Sequence, residues 1–214
     1  MADNVDDGAG DGASDGTDHG HGDGTDHGHG HPIEPGTNAL VLAPALSDER
    51  SARCLDLLDA GAPADLNVLR ISYSQGPDEL CREWTDRHGE LPARFGIVTV
   101  NDQAGLASDD PEAADHEGVA LTSANPNDVT GLGMRLNNYL AEHDPALQLV
   151  VCFDSLTQML QFTDVQSVFK FVHMFTGQLR EVDAIGHFHL DPNAHDTQTV
   201  SRLKPAFDDA VDLR

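Results

Sequence analysis

Five short apolar runs constrain this chain more than any other feature. They are "NALVLAP" (38–44), "DLNVLRIS" (65–72), "RFGIVTVND" (94–102), "LQLVVCF" (147–153) and "AIGHFHL" (184–190). Each is close to continuous rather than alternating, so it reads as a strand covered on both faces. Helix-patterned stretches lie between them. The first, 47–61, opens on Ser47, carries Cys54, Leu55 and Leu58, and closes on Gly61. The second opens on Pro77 and stops at Gly89; the third, 128–144, spaces Val129, Leu132, Leu136 and Leu140 at helical intervals. Further helices are expected near 164–182 and 196–208, with short strands at 119–126 and 210–214. Strands alternating with helices imply an α/β domain with a mostly parallel sheet and helices on both faces, here residues 38–214.

Residues 1–37 have a different texture. "DGTDHGHG" is followed by "GDGTDHGHGHP", a near duplication with almost no apolar residue. Such a segment buries too little surface to offset the entropy of ordering, so a disordered Asp/Gly/His-rich tail is expected. Its His19, His21, His27, His29 and His31 are interleaved with Asp18, Asp23 and Asp26. His-x-His pairs beside carboxylates bind divalent transition metals, here weakly and without fixed geometry. A plain soluble, repeat-expanded tail is the other reading.

The chain carries 37 acidic against 12 basic residues in 214, a formal charge of −25. Aspartate dominates the acids, and Lys170 and Lys204 are its only lysines. Self-repulsion on this scale disfavours a compact fold unless salt screens it, and the screening length shrinks to about 3 Å at 1 M salt. A cytoplasmic protein of a high-salt cytosol is the expectation. With no basic patch to meet phosphates, direct nucleic-acid binding is not expected. No run approaches the ~18 apolar residues of a membrane span. Cys54, Cys81 and Cys152 have no CxxC spacing and no secretory signal before them, so they read as reduced core thiols.

The run 147–153 ends in Asp154 and Ser155, the way many nucleotide-hydrolysing folds write the strand whose terminal aspartate holds Mg²⁺. Such a fold also needs a Gly-rich loop after its first strand, with a Lys for phosphate charge. Here that connection, residues 44–52, has neither Gly nor Lys and places Asp48 and Glu49 where phosphate would arrive. Residues 38–214 nonetheless resemble the KaiC-like branch of the RecA superfamily. The resemblance is carried mainly by "VVCFDSLTQMLQFTDVQSVFKFVHMFTGQLREVDAIGHFHLDPNAHDTQTVSRLKPAFDDAVDL". That stretch is similar to the branch's Walker B strand, the helix and strand after it, and the final helix–strand pair. "NVLRISYSQGPDELCREW" and "RFGIVTVND" fit its second and third strands more loosely. The pattern looks closest to degenerate KaiC-like proteins of extremely halophilic archaea, a set of unassigned function.

That resemblance implies a RecA-like fold in which the Walker A loop is lost and Ser74-Gln75 stands where a catalytic glutamate pair would be. Asp154, with Ser155, is then a vestigial Walker B site; capping of the following helix and residual metal or nucleotide contact both remain open for it. Losing the phosphate cradle removes most of the positioning on which phosphoryl transfer depends. The expectation is a non-catalytic pseudo-ATPase without a cofactor, regulatory or signalling through protein contacts, with self-association open. Two alternatives stand beside it: an ATP-binding or hydrolysing protein with an unconventional phosphate site, and a metal-binding protein acting through its tail.

Two further stretches stand out. "GHFHLDPNAHD" (186–196) collects His187, His189, His195, Asp191 and Asp196. His187 and His189 share one side of a strand, a spacing compatible with a zinc site, whereas Asp191 before Pro192 also reads as a turn and Asp196 as a helix cap. Residues 162–175 hold Phe162, Phe169, Phe171, Met174 and Phe175, more apolar circumference than one buried stripe uses, so they read either as core or as partly an interaction surface.

Overall fold

A computed structural model describes residues 33–44, 54–102 and 118–213. The strands form one seven-stranded sheet in the order β4-β3-β2-β5-β6-β1-β7, and every pairing in it is parallel. They are β1 (Asn38–Leu42), β2 (Leu66–Ser72), β3 (Arg94–Val100), β4 (Val119–Ala124), β5 (Gln148–Asp154), β6 (Ile185–Leu190) and β7 (Asp209–Asp212). β1, β2 and β6 are buried along their whole length, as continuous apolar runs require. The edge strand β7 is mostly exposed and pairs only with β1.

The helices divide between the two faces according to their apolar partners. Residues 54–58 (α1) and α2 (Pro77–His88) cover one face, packing Cys54, Leu58, Leu80, Cys81 and Trp84 onto Val68, Phe95, Ile97, Val150 and Cys152. The other face carries α3 (Val129–Ala141), α4 (Leu156–Phe162), α5 (Val165–Glu181) and α6 (Thr197–Leu203). Capping follows the residues the sequence offers. Asp128, Asp164 and Asp196 each accept backbone N–H bonds at the start of a helix. Gly89 ends α2 with φ +81°, a conformation that favours glycine, and its N–H returns to the Thr85 carbonyl at 2.8 Å.

Two details differ from the sequence reading. A separate helix, α4, precedes α5, because Ser155 caps it and Thr163 ends it in extended conformation. The aromatic stretch also divides. Phe171 and Phe175 are core, Phe169 is half-buried, and Phe162 and Met174 are exposed. The residues just before β1 pack onto the domain: Ile33 lies against the α1–α2 side, and the Gly36 N–H reaches the Ala184 carbonyl at 3.1 Å.

Candidate functional site

In an open parallel sheet, ligands sit outside the carboxyl ends of the strands, where connections on neighbouring strands leave for opposite faces. β2 and β5 are such neighbours: β2 leads into α2 on one face, and β5 into α4 on the other. Their last residues, Ser72 and Asp154, stand opposite each other in register. The Tyr73 N–H binds the Asp154 carbonyl at 2.9 Å, and the Asp154–Ser155 peptide is cis. The helix cap here is Ser155, whose Oγ accepts from the Gln158 N–H at 3.3 Å. The Ser72 hydroxyl accepts N–H bonds from Ser74 and Gln75 and so shapes the turn after β2. Gln75 donates its side-chain amide to Glu83 on α2. Glu83 also takes the guanidinium of Arg70 at 3.0 Å, so this nearby carboxylate is already engaged.

One step deeper, on the face under α1, the strands place a second set of polar side chains in line. Arg70 on β2 stands opposite Cys152 on β5, and Cys152 opposite His187 on β6. His189 lies two residues further along β6, on the same side as His187. Cys54, at the start of the described part of α1, closes over them from above. Its Sγ is 2.9 Å from Cys152 Sγ and 3.5 Å from His187 Nε2. One ligand-type atom from each of Cys54, Cys152, His187 and His189 lies within 4.8 Å of all the others. His187 is 0 % exposed and His189 1 %, and their rings meet edge to face at 5.2 Å. Among the described residues, neither ring nitrogen of His189 has a hydrogen-bond partner, and neither does Nδ1 of His187.

The electrostatics reflect this crowding. The Cys152 thiol pulls the Cys54 thiol well below its ordinary value against the opposing effect of burial, with Arg70, His187 and His189 assisting. Burial pushes His187 down, towards the neutral imidazole, more strongly than Cys54 draws it up. Burial also works against the charge on Arg70, but Cys54, Cys152 and Glu83 together outweigh it and hold the guanidinium more firmly protonated than usual.

The structure thus brings together residues that the sequence reading kept apart. The three cysteines are buried and unbridged, but Cys54 and Cys152 touch, whereas Cys81 lies on α2 outside the cluster. His195, grouped with His187 and His189 in sequence, is not part of it. It precedes Asp196, which caps α6, while Asp191 holds the turn through the Asn193 N–H at 2.8 Å. His19, His21, His27, His29 and His31, and nearly all of the connection 44–52, lie outside the described residues. Arg70, Cys54 and Cys152 are site residues that sequence reasoning misses. Their only local signal is polar or thiol character inside otherwise apolar runs.

Solved structures share this architecture at low identity. A protein of Pyrococcus horikoshii OT3, studied as project PH0250, has a TM-score of 0.58 at 8% identity over 85% of this chain and 83% of its own. A solved ATPase domain has a TM-score of 0.53 at 14% identity, over 84% of this chain and 70% of its own. The flagellar accessory protein FlaH of Methanocaldococcus jannaschii has 0.48 at 11% identity, over 86% and 73%. The fold is RecA-like. Residues 36–213 match the model of a family of unknown function, DUF7504, and the chain belongs to that family. No curated protein matches it.

Proposed function

We propose that this chain is a non-hydrolysing RecA-like domain with a regulatory or signalling role exercised through protein contacts, of the degenerate KaiC-like kind its sequence resembles. One observation carries the reading: the turn after β2 brings no carboxylate to the carboxyl edge of the sheet. Ser74 and Gln75 occupy that turn, and Glu83, the carboxylate behind them, is bound by Arg70 and Gln75. The connection 44–52, without Gly or Lys, supports the same conclusion from the phosphate side. Exposed Met134 and Met174, beside a groove lined by Lys170, Phe171 and Gln178 between α3 and α5, support a contact role.

The test is ATP turnover and binding in molar KCl, with and without Mg²⁺. The expected outcome is no turnover above background; turnover that Asp154→Ala abolishes would overturn the proposal. Nucleotide binding without hydrolysis is a second reading, favoured by Asp154 and Ser155 still standing at the end of β5. The acidic composition supports a high-salt cytosol as the setting, and an unfolding midpoint that climbs steeply with KCl is the corresponding measurement. No helix among the described residues is long and apolar enough to cross a membrane.

A further inference from the structure

We propose that Cys54, Cys152, His187 and His189 form a buried site for a single Zn²⁺ ion that ties α1 to strands β5 and β6. Two thiol sulfurs and two imidazoles are the donor set of closed, four-coordinate structural zinc sites. Here the set comes from three separate elements: one ligand from α1, one from β5 and two from β6. All four side chains are buried, at 4 % exposure or less.

The histidines make the independent case. A buried polar group without a hydrogen bond is costly, and His189 has two such nitrogens, one of its ring nitrogens lying within the cluster. Closing Cys54 and Cys152 into a disulfide would give His189 no partner and would take the thiol proton away from His187. An ion at the centre takes one nitrogen from each. Tetrahedral coordination at about 2.3 Å from each sulfur sets the two sulfurs ~3.8 Å apart, so loading spreads them from the 2.9 Å seen here. Rotation about the two Cα–Cβ bonds provides that movement. Binding takes both sulfurs as thiolates, releases to solvent the protons they still carry, and involves no redox change. The divalent ion then balances two thiolates while Glu83 balances Arg70, leaving the core on this face without net charge. The site lies inside the sheet–helix layer rather than at its carboxyl edge, so it stands whether or not nucleotide binds.

The experiment uses the full chain, purified in molar KCl without a metal-affinity tag, and a second full chain in which His19, His21, His27, His29 and His31 are all replaced by Ala. Both are treated with a weak chelator; zinc per chain is measured, and Co²⁺ is then exchanged in. A single retained zinc in both proteins is expected, with a sulfur-to-cobalt charge-transfer band and tetrahedral ligand-field bands. Neither the tail nor any carboxylate produces the sulfur band. Cys152→Ser and His189→Gln should each weaken binding by more than about 100-fold, beyond what outer-shell changes do, whereas Cys81→Ser should leave the spectrum unchanged. If those variants fail to fold, the unmodified protein's cobalt spectrum still decides. Absence of the sulfur band, loss of all zinc with the tail histidines, or a non-reduced mass two hydrogens low from a Cys54–Cys152 disulfide would each overturn the proposal.

Discussion

The two faces of the central sheet are buried to a similar depth and filled with different chemistry. Under α3 to α6 the contents are mostly apolar and rings dominate, with Asn38, Asn67 and Thr176 as buried polar groups hydrogen-bonded at the margins. Phe188 packs on Phe153 at 5.6 Å, on Phe175 at 6.0 Å and on Phe207 at 5.2 Å, and Phe153 reaches Phe171 at 6.0 Å. Under α1 and α2 the outer part is equally apolar, with Trp84, Phe95 and Leu58 at its heart, but its inner edge holds Arg70, Cys54, Cys152, His187 and His189. Neighbouring residues of one strand serve both environments: Phe188 faces one layer, His187 and His189 the other. Fractional burial alone does not distinguish them. The aromatic face gains stability from the rings it buries, whereas the polar edge bears desolvation that only partners return. Polar groups held in so unfavourable a place point to binding rather than to folding.

That contrast can be broken by mutation. The largest effect is expected on the aromatic face, where Phe188→Ala opens a cavity among three rings and should cost about 3–5 kcal/mol, read from denaturant unfolding in molar KCl. A loss below about 1 kcal/mol would mean that this layer is not the structural one. A smaller effect is expected on the polar edge. Glu83→Gln leaves the Arg70 guanidinium, only 4% exposed, without its carboxylate. Glu83 is itself partly in solvent, so the expected cost is about 1–3 kcal/mol, less than for a fully buried pair. The double variant Arg70→Met/Glu83→Leu should be less destabilised than Glu83→Gln, because no unpaired charge remains. If the double variant is the worse, the pair is a structural element and the contrast between faces weakens.

The smallest effect concerns the seam beside β1. Asp208 accepts from Arg180 at 2.9 and 3.1 Å and from the Asn38 N–H at 2.9 Å. Burial would raise its carboxyl, but Arg180 and Asn38 outweigh that and hold it below the usual carboxylate range. A folded-state value below the unfolded one contributes stability that is full above the ordinary carboxylate pKa of about 3.9 and fades as pH falls through the lower folded value. Asp208→Asn should therefore lower stability by about 0.5–1 kcal/mol near neutral pH, after screening, and flatten the acid limb of the stability curve. An unchanged acid limb would remove Asp208 from that account.

Much of the scaffold was legible locally. The continuous runs at β1, β2, β3, β5 and β6 announced strands buried on both sides, and Asp196, Pro77 and Gly89 marked helix ends where the structure has them. The separate helix α4 was not legible by periodicity, since apolar residues continue across its end and only the extended Thr163 and the Asp164 cap divide it from α5. The candidate site was legible in half. His187 and His189 declare themselves by alternating on one strand, but Cys54 lies 133 residues from His187, and nothing at either position names the other.

The sequence by itself determined the layered α/β class, the acidic composition and a connection at 44–52 without Gly or Lys, because strand burial, net charge and loop composition are properties of short segments. Only the tertiary structure decided the strand order, which inserts β5 and β6 between β2 and β1 and so sets Arg70, Cys152 and His187 side by side. It also decided that Cys54 closes over them. Which thiol meets which imidazole depends on sheet register and on the helix that crosses it, and these are set by packing of the whole domain rather than by the residues that meet.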